Sequence, residues 1–174
     1  MSGTPSTVGR VDADAWRSPT ATSIAVAMAR SYETLTGELL PGMTGDPLTD
    51  AEIAQALFET KVGLLCHDGG ADPRFIYANR TAQRLWQMPW QRIVGMPSRL
   101  SAEPDQRAGR ARMLREAAGG GIFHGYRGIR VAADGTRFEI DDTTIWTVTD
   151  DTGAAVGQAA VIGAWRPVAA DRRI

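Results

Sequence analysis

The chain has 174 residues, a formal net charge of −1 and a hydrophobic content of 43%. This length suits one well-packed domain with additional helices rather than two domains, and the composition is that of a globular protein rather than a disordered or fibrous one. The near-zero net charge argues against a dedicated nucleic-acid binder or membrane-surface binder. Because Cys66 is the only cysteine, an intrachain disulfide and a cysteine-rich metal site are both excluded.

The chain carries no sequence signal for a membrane or for export. Its apolar runs all fall short of the roughly 20 residues that span a bilayer. Residues 1–10 lack the basic and then apolar layout of a secretory signal. We therefore predict a cytoplasmic protein that makes no membrane contact.

The N-terminal part is predicted to be a flexible segment, residues 1–18, followed by helices over residues 19–60. The first helix covers Thr20 to Leu40. One apolar stripe on it contains Ile24, Met28, Tyr32, Leu35 and Leu39. A second helix begins after Thr49, with Glu52 completing a capping box. Since the stripe must pack on the sheet or on another subunit, we predict a homodimer formed through this helix.

Residues 61–167 are predicted to form the core of the domain, and residues 168–174 are predicted to be a C-terminal tail. Asn79 directly follows a short apolar strand, and its amide oxygen is suited to capping the helix that begins there. The predicted strands are Val62–His67, Phe75–Ala78, Phe123–Ala132, Thr136–Val148 and Ala155–Trp165. Helices are predicted from Asn79 to about Met88, from Trp90 to Val94 and from Glu103 to Ala118.

The order of these elements predicts the fold class. A parallel sheet would need crossover helices between the last three strands, and the sequence has none there. We therefore predict an α+β fold, a five-stranded antiparallel sheet with helices on one face, preceded by the N-terminal helices.

The predicted hairpin between the third and fourth strands places two charged residues on the buried face of the sheet. Asp134-Gly135 predicts a two-residue turn. In that register Val131 faces Phe138 and Arg127 faces Asp142, with the last pair pointing inward because side chains alternate along a strand. A buried pair of this kind is a structural ion pair or an anchor for an anionic or carbonyl ligand, unless a bulge shifts the register.

Several short sequence motifs follow one another along the middle and end of the chain. They are His67-Asp68, Asp72-Pro73-Arg74-Phe75, Tyr77-Ala78-Asn79, Pro97 to Glu103, Gly125 to Arg130, Gly135 to Phe138, Ile145-Trp146 and Gly157 to Ala160. In this order they resemble the MEKHLA domain, a module related to PAS domains, over Thr20 to Pro167. The strand–asparagine–helix opening around Asn79 is similar to that of PAS domains as well.

The resemblance implies a PAS-like sensory or regulatory module. On this interpretation the domain binds a small molecule in the half-barrel of the sheet and signals to an unknown output protein through protein–protein contacts. The alternative is a ligand-free dimerisation module with a filled core. The candidate ligand-binding residues are Arg127, Asp142, Tyr126, Trp146, Arg99 and Asn79.

Enzymatic and cofactor chemistry find little support in the sequence. Ser98, His124 and Asp142 could be arranged as a hydrolase triad, but no nucleophile motif accompanies them. Flavin photosensors of the PAS class use a cysteine on a helix, whereas Cys66 lies on a strand, and the long helix has no histidine for haem. We expect no catalytic activity and no metal site, and the sequence indicates no particular cofactor. The arginines of the long helix form a solvated face, so nucleic-acid contact is not expected.

Overall fold

The computed structural model of the protein describes residues 13–103, 111–113, 115, 119 and 121–170. The helices are α1 (Pro19–Thr36), α2 (Asp50–Glu59), α3 (Arg80–Trp86) and α4 (Trp90–Ile93), with 3-10 turns at Ala15–Arg17 and Ser98–Ser101. The strands are β1 (Gly63–His67), β2 (Phe75–Ala78), β3 (Ile122–Val131), β4 (Arg137–Thr149) and β5 (Ala155–Pro167). Most of the predicted helix from Glu103 to Ala118, most of the segment 1–18 and the end of the tail lie outside the described residues.

The described strands form one sheet in the order β2-β1-β5-β4-β3, and every neighbouring pair is antiparallel. The first and last strands of the chain therefore pair in the middle of the sheet. α3 and α4 follow the edge strand β2 in the chain and lie across one face of the sheet. This arrangement confirms the predicted five-stranded antiparallel sheet. No helix in the described part of the chain is long and apolar enough to cross a bilayer.

The two faces of the sheet pack against different helices. We call the face that bears Leu65, Ile140 and Ile162 the inner face, and it packs against Trp86 of α3. The outer face bears Leu64, Trp146 and Val161, which pack against α1 and α2. The alternation of side chains along each strand sends successive residues to opposite faces, so the strands have apolar residues on both.

α1 is fixed at its start, its end and its middle. Ser18 caps the first turn, because its Oγ accepts a hydrogen bond from the backbone N–H of Ala21 at 3.1 Å. Gly37 ends the helix with φ 73°, the left-handed conformation that glycine adopts without strain. In the middle, Ser31 Oγ accepts a hydrogen bond from Trp146 Nε1 at 3.2 Å and so ties the helix to β4.

The apolar stripe of α1 packs on the sheet. Met28 and Tyr32 are buried, and the Tyr32 and Trp146 rings meet edge to face at 5.0 Å. Leu35 and Leu39 remain exposed near the end of the helix. The sheet is thus one partner of the stripe, and the homodimer through α1 stays a prediction.

α2 begins with the predicted capping box. Thr49 Oγ1 accepts from the Glu52 N–H at 3.3 Å, and Glu52 Oε2 accepts from the Thr49 N–H at 2.7 Å. These hydrogen bonds lower the pKa of Glu52. The other end of α2 carries Phe58, whose ring stacks on Trp16 at 4.6 Å and closes the core over the outer face.

The hairpin between β3 and β4 has a different register from the predicted one. Its loop contains three residues, 133–135: the Ala132 N–H donates to the Thr136 carbonyl at 2.9 Å, and Gly135 has φ 86°. A three-residue loop with glycine in the left-handed position shifts the pairing by one residue, so Arg130 faces Phe138. The predicted two-residue turn is therefore wrong, and the shift exchanges the two faces of β3.

Candidate functional site

The shifted register places Tyr126, Gly128 and Arg130 on the inner face of β3. Arg130 is only 3% exposed, and its Nη2 donates a hydrogen bond to Tyr126 Oη at 2.9 Å. The guanidinium carbon lies 5.3 Å from the centre of the Tyr126 ring. A Cβ on Gly128 would lie 2.7 Å from Tyr126 Oη and 3.0 Å from Arg130 Nη1. The absence of a side chain at position 128 therefore lets the tyrosine and the arginine meet.

Arg130 lacks a carboxylate partner in the described part of the chain. Its second hydrogen bond runs from Nη1 to the carbonyl of Ile129 at 2.8 Å, so both of its acceptors among the described residues are neutral oxygens. Other arginines pair with acids: Arg137 with Glu103, and Arg166 with Glu139. Burying a charge without an opposite charge costs several kcal/mol, so an anion beside this guanidinium would be stabilising.

An interior cavity of about 30 Å³ lies beside Arg130 on the inner face. Its apolar walls are Leu65, Phe75, Trp86, Ile140, Ile145 and Ile162, and its polar groups belong to Arg130, Tyr126, Thr143, Ser101, His67 and Gln158. One water molecule needs about 10–15 Å³ of such volume, so the cavity holds only a few atoms. Most of the half-barrel is therefore filled by side chains.

A second, wider cavity of about 480 Å³ lies where β1 and β4 end and β5 begins. It lies between the loop at residues 68–73, the Ser98-Arg99 turn, Ala111, Arg115 and the ends of β4 and β5. Charged side chains of both signs line it: Asp68, Asp72, Arg99 and Arg115. His67 and Gln158 line both cavities, so these two side chains stand between the narrow interior and the wide opening.

The polar groups at the wide cavity are held by the loop that follows β1. His67 Nδ1 accepts a hydrogen bond from the Gly69 N–H at 3.1 Å, which assigns the proton of the neutral ring to Nε2. The N–H groups of Gly70 and Arg74 donate to Asp68 Oδ1, and these bonds lower the pKa of Asp68. The loop is thus ordered by its own side chains.

The predicted inward pair of Arg127 and Asp142 is wrong. Arg127 lies on the outer side with 58% of its side chain exposed, and its Nη2 contacts Asp141 Oδ2 at 2.6 Å. Asp142 is exposed with φ 46°, at a bulge in β4. A second bulge sits at Gly125 in β3, with φ 73°. The hairpin loop and these bulges together decide which residues face inward.

The other four predicted residues divide into two groups. Trp146 is fully buried under α1 on the outer face, away from both cavities. Asn79 is also fully buried, and its amide is occupied by four backbone groups, which belong to Leu57, Val62, Leu64 and Ala82. Its predicted role as the cap of α3 is confirmed. Tyr126 lines the interior cavity and Arg99 lines the wide one, where it pairs with Asp72 at 3.1 Å.

The residue that sequence reasoning missed is Arg130. The turn sequence is compatible with both registers, because Ala-Asp-Gly can form a three-residue loop as readily as Asp-Gly forms a two-residue one. The paired placement of Tyr126, Gly128 and Arg130 at alternate positions would then have indicated one polar inner face on β3.

Comparison with known proteins identifies the family to which this chain belongs. The family model for the MEKHLA domain matches residues 22–167, which is most of the chain. The chain belongs to the MEKHLA domain family. A search of curated proteins found no match to this MEKHLA domain.

Solved structures show the same fold at low sequence identity. The PAS domain of a protein from Colwellia psychrerythraea has a TM-score of 0.56 at 16% identity, with 66% of this chain and 92% of that chain covered. A light-oxygen-voltage domain studied with a flavin analogue has a TM-score of 0.54 at 18% identity, covering 68% and 86%. The light-oxygen-voltage protein of Rhodobacter sphaeroides has a TM-score of 0.53 at 17% identity, covering 67% and 65%. This MEKHLA domain therefore has a PAS-like fold.

Cys66 in this MEKHLA domain is a core residue. It is 1% exposed on β1, on the face covered by the N-terminal helices. Burial raises the pKa of its thiol, so the thiolate that nucleophilic chemistry requires is disfavoured.

Proposed function

We propose that this MEKHLA domain is a sensor that binds a small molecule on the inner face of its sheet and signals through protein–protein contacts. The wide cavity carries the proposal. Its volume of about 480 Å³ falls within the range typical of small-molecule sites, which is about 300–1,000 Å³. Its lining combines small residues, such as Ala71, Pro73 and Ala155, with charged side chains that can fix the orientation of a ligand.

Two residues shared by both linings support a path from this cavity to the interior. His67 and Gln158 line both cavities, and Arg99 lines the wide one. Among the described residues, His67 and Gln158 separate a ligand in the wide cavity from the interior group of Tyr126 and Arg130. Movement of the loop at residues 68–73 on binding would carry the signal to the surface, where a partner protein can contact it.

Native mass spectrometry of freshly purified protein tests the proposal. We expect a retained small molecule that dissociates on denaturation. Arg99→Ala should lower the retained fraction, because it removes a charged group from the wall of the cavity. Arg166→Ala is the matched control, since Arg166 is also an exposed, ion-paired arginine but is absent from the lining of either cavity. Protein that never carries an adduct would refute the proposal.

The second candidate function is a ligand-free dimerisation module. The small interior cavity favours it, and so do Leu35 and Leu39, which are 42% and 36% exposed. If these leucines form a dimer contact, changing both to serine should yield a monomer in sedimentation analysis. Leu100→Ser is the control, because Leu100 is exposed to 40% in a different part of the fold. A dimer mass without an adduct favours this function over the sensor.

A further inference from the structure

We infer that the ligand is a small monocarboxylate whose charged group binds beside the hydrogen-bonded guanidinium of Arg130 and hydroxyl of Tyr126, on the side where both line the interior cavity. The inference rests on the proposed function and names the chemistry of its ligand. It starts from the charge of Arg130. Among the described aspartate, glutamate, lysine and arginine residues, Arg130 alone is buried, and no described carboxylate forms an ion pair with it. A bound anion would supply an opposite charge that the described residues do not supply.

The hydrogen-bonding groups at this point are donors. A guanidinium has five N–H donors and no acceptor, and the described acceptors of Arg130 are only the Ile129 carbonyl and the Tyr126 oxygen. Because Tyr126 Oη accepts from Arg130, its own proton is directed to another acceptor. An oxygen atom of a ligand that reaches both groups would therefore receive charge-assisted hydrogen bonds, which are the stronger kind.

The surroundings favour a carboxylate over a phosphate. A single buried positive charge neutralises a monoanion, whereas a phosphate dianion would leave a net negative charge inside the apolar cavity. The planar carboxylate also matches the fork of the guanidinium. The walls at Leu65, Ile140 and Ile162 are apolar, which suits a short hydrocarbon tail. The interior volume of about 30 Å³ limits that ligand to a few heavy atoms unless His67 or Gln158 moves.

The experiment is a titration of isotope-labelled protein, followed through the arginine side-chain N–H resonances. The probes are sodium formate, acetate and propionate, with formamide, acetamide and propionamide as uncharged partners of the same shape. Sodium chloride keeps the ionic strength constant, because generic attraction of anions is screened by salt. We expect saturable binding of at least one carboxylate, and no binding of its amide.

Two arginine variants give the central comparison. Arg130→Gln should abolish carboxylate binding. Arg127→Gln should leave it unchanged, because Arg127 lies on the same strand but is exposed on the outer side. Tyr126→Phe should weaken binding roughly tenfold, since it removes one hydrogen bond to a charged group. If Arg130→Gln fails to fold, Tyr126→Phe and Gly128→Ala carry the test. The alanine Cβ at position 128 would lie 2.7 Å from Tyr126 Oη and push the hydroxyl aside.

The outcomes separate this inference from the proposed function. Equal carboxylate binding by the wild type and Arg130→Gln, or equal losses in Arg130→Gln and Arg127→Gln, would overturn the carboxylate site. A neutral or cationic molecule retained in native mass spectrometry, with no carboxylate binding, would overturn it while leaving the sensor intact. With neither a retained molecule nor carboxylate binding, both proposals fall. A retained carboxylate supports both.

Discussion

Replacing Asn79 with alanine should destabilise the fold far more than the loss of an ordinary helix cap. The amide of Asn79 is fully buried and bonds four backbone groups. Its Oδ1 accepts from Ala82 at 2.9 Å and from Leu64 at 3.0 Å, and its Nδ2 donates to Leu57 at 3.1 Å and to Val62 at 2.8 Å. One side chain therefore joins α2, β1 and α3.

The magnitude follows from these contacts. Loss of the cap itself costs about 1 kcal/mol. The alanine variant also leaves a buried N–H and two carbonyls without this partner, and an unsatisfied buried group costs about 1–3 kcal/mol. Local relaxation can bring other donors to the two carbonyls and so reduce their cost. We therefore expect a total loss of about 3–5 kcal/mol in the free energy of unfolding. That is a large share of the about 5–15 kcal/mol typical of a domain.

Urea unfolding, followed by tryptophan fluorescence and circular dichroism, measures the loss. Thr49→Ala is the matched control, because Thr49 caps α2 at an exposed position without long-range contacts through its side chain. It should cost about 1 kcal/mol. The reasoning is refuted if Asn79→Ala lowers the free energy of unfolding no more than Thr49→Ala does, while both variants keep the m value of the wild type.

Three further predictions address the packing and the turns. Ser31→Ala should cost about 1–3 kcal/mol, because it leaves the buried indole N–H of Trp146 without its acceptor, and urea unfolding would show it. Gly157→Ala should destabilise the sheet by about 3 kcal/mol or more, since a Cβ there would lie 2.2 Å from the carbonyl oxygen of His67, and thermal unfolding would show it. Asp150 has a pKa below its ordinary value of 3.8 because its carboxylate accepts hydrogen bonds, first from Thr152. Its charged form therefore stabilises the fold above the unfolded-state pKa, and this contribution disappears as the pH falls through the folded-state pKa. The difference in stability between the wild type and Asp150→Asn should therefore vanish in acid.

Each of these predictions has a control in the same chain. Thr34→Ala removes a hydroxyl that bonds the helix backbone at an exposed position of α1, and it should change stability little. Gly45→Ala adds a methyl group where no atom lies within 4 Å, so it should be tolerated. For Asp150, the same two proteins compared near neutral pH are the reference for the measurement in acid. Losses in these variants equal to those in the test variants would contradict the structural explanations.

The sequence by itself determined the local elements and their order. Asn79 marked the start of α3 because the capping oxygen and the helix lie within four residues of each other. Thr49 and Glu52 marked the start of α2 for the same reason. The lack of crossover helices between the last strands excluded a parallel sheet, and the structure has antiparallel pairs throughout.

Only the tertiary structure decided which side chains face one another. A loop of two residues and a loop of three are both compatible with Ala-Asp-Gly, yet the choice exchanges Arg127 for Arg130 on the inner face. The same holds for α1, because the apolar stripe fits either a sheet or a second subunit, and the buried contact of Tyr32 with Trp146 joins residues far apart in the chain. Local preferences act over a few residues, whereas register and packing depend on the burial of the whole sheet, so a pattern of residue types leaves them open.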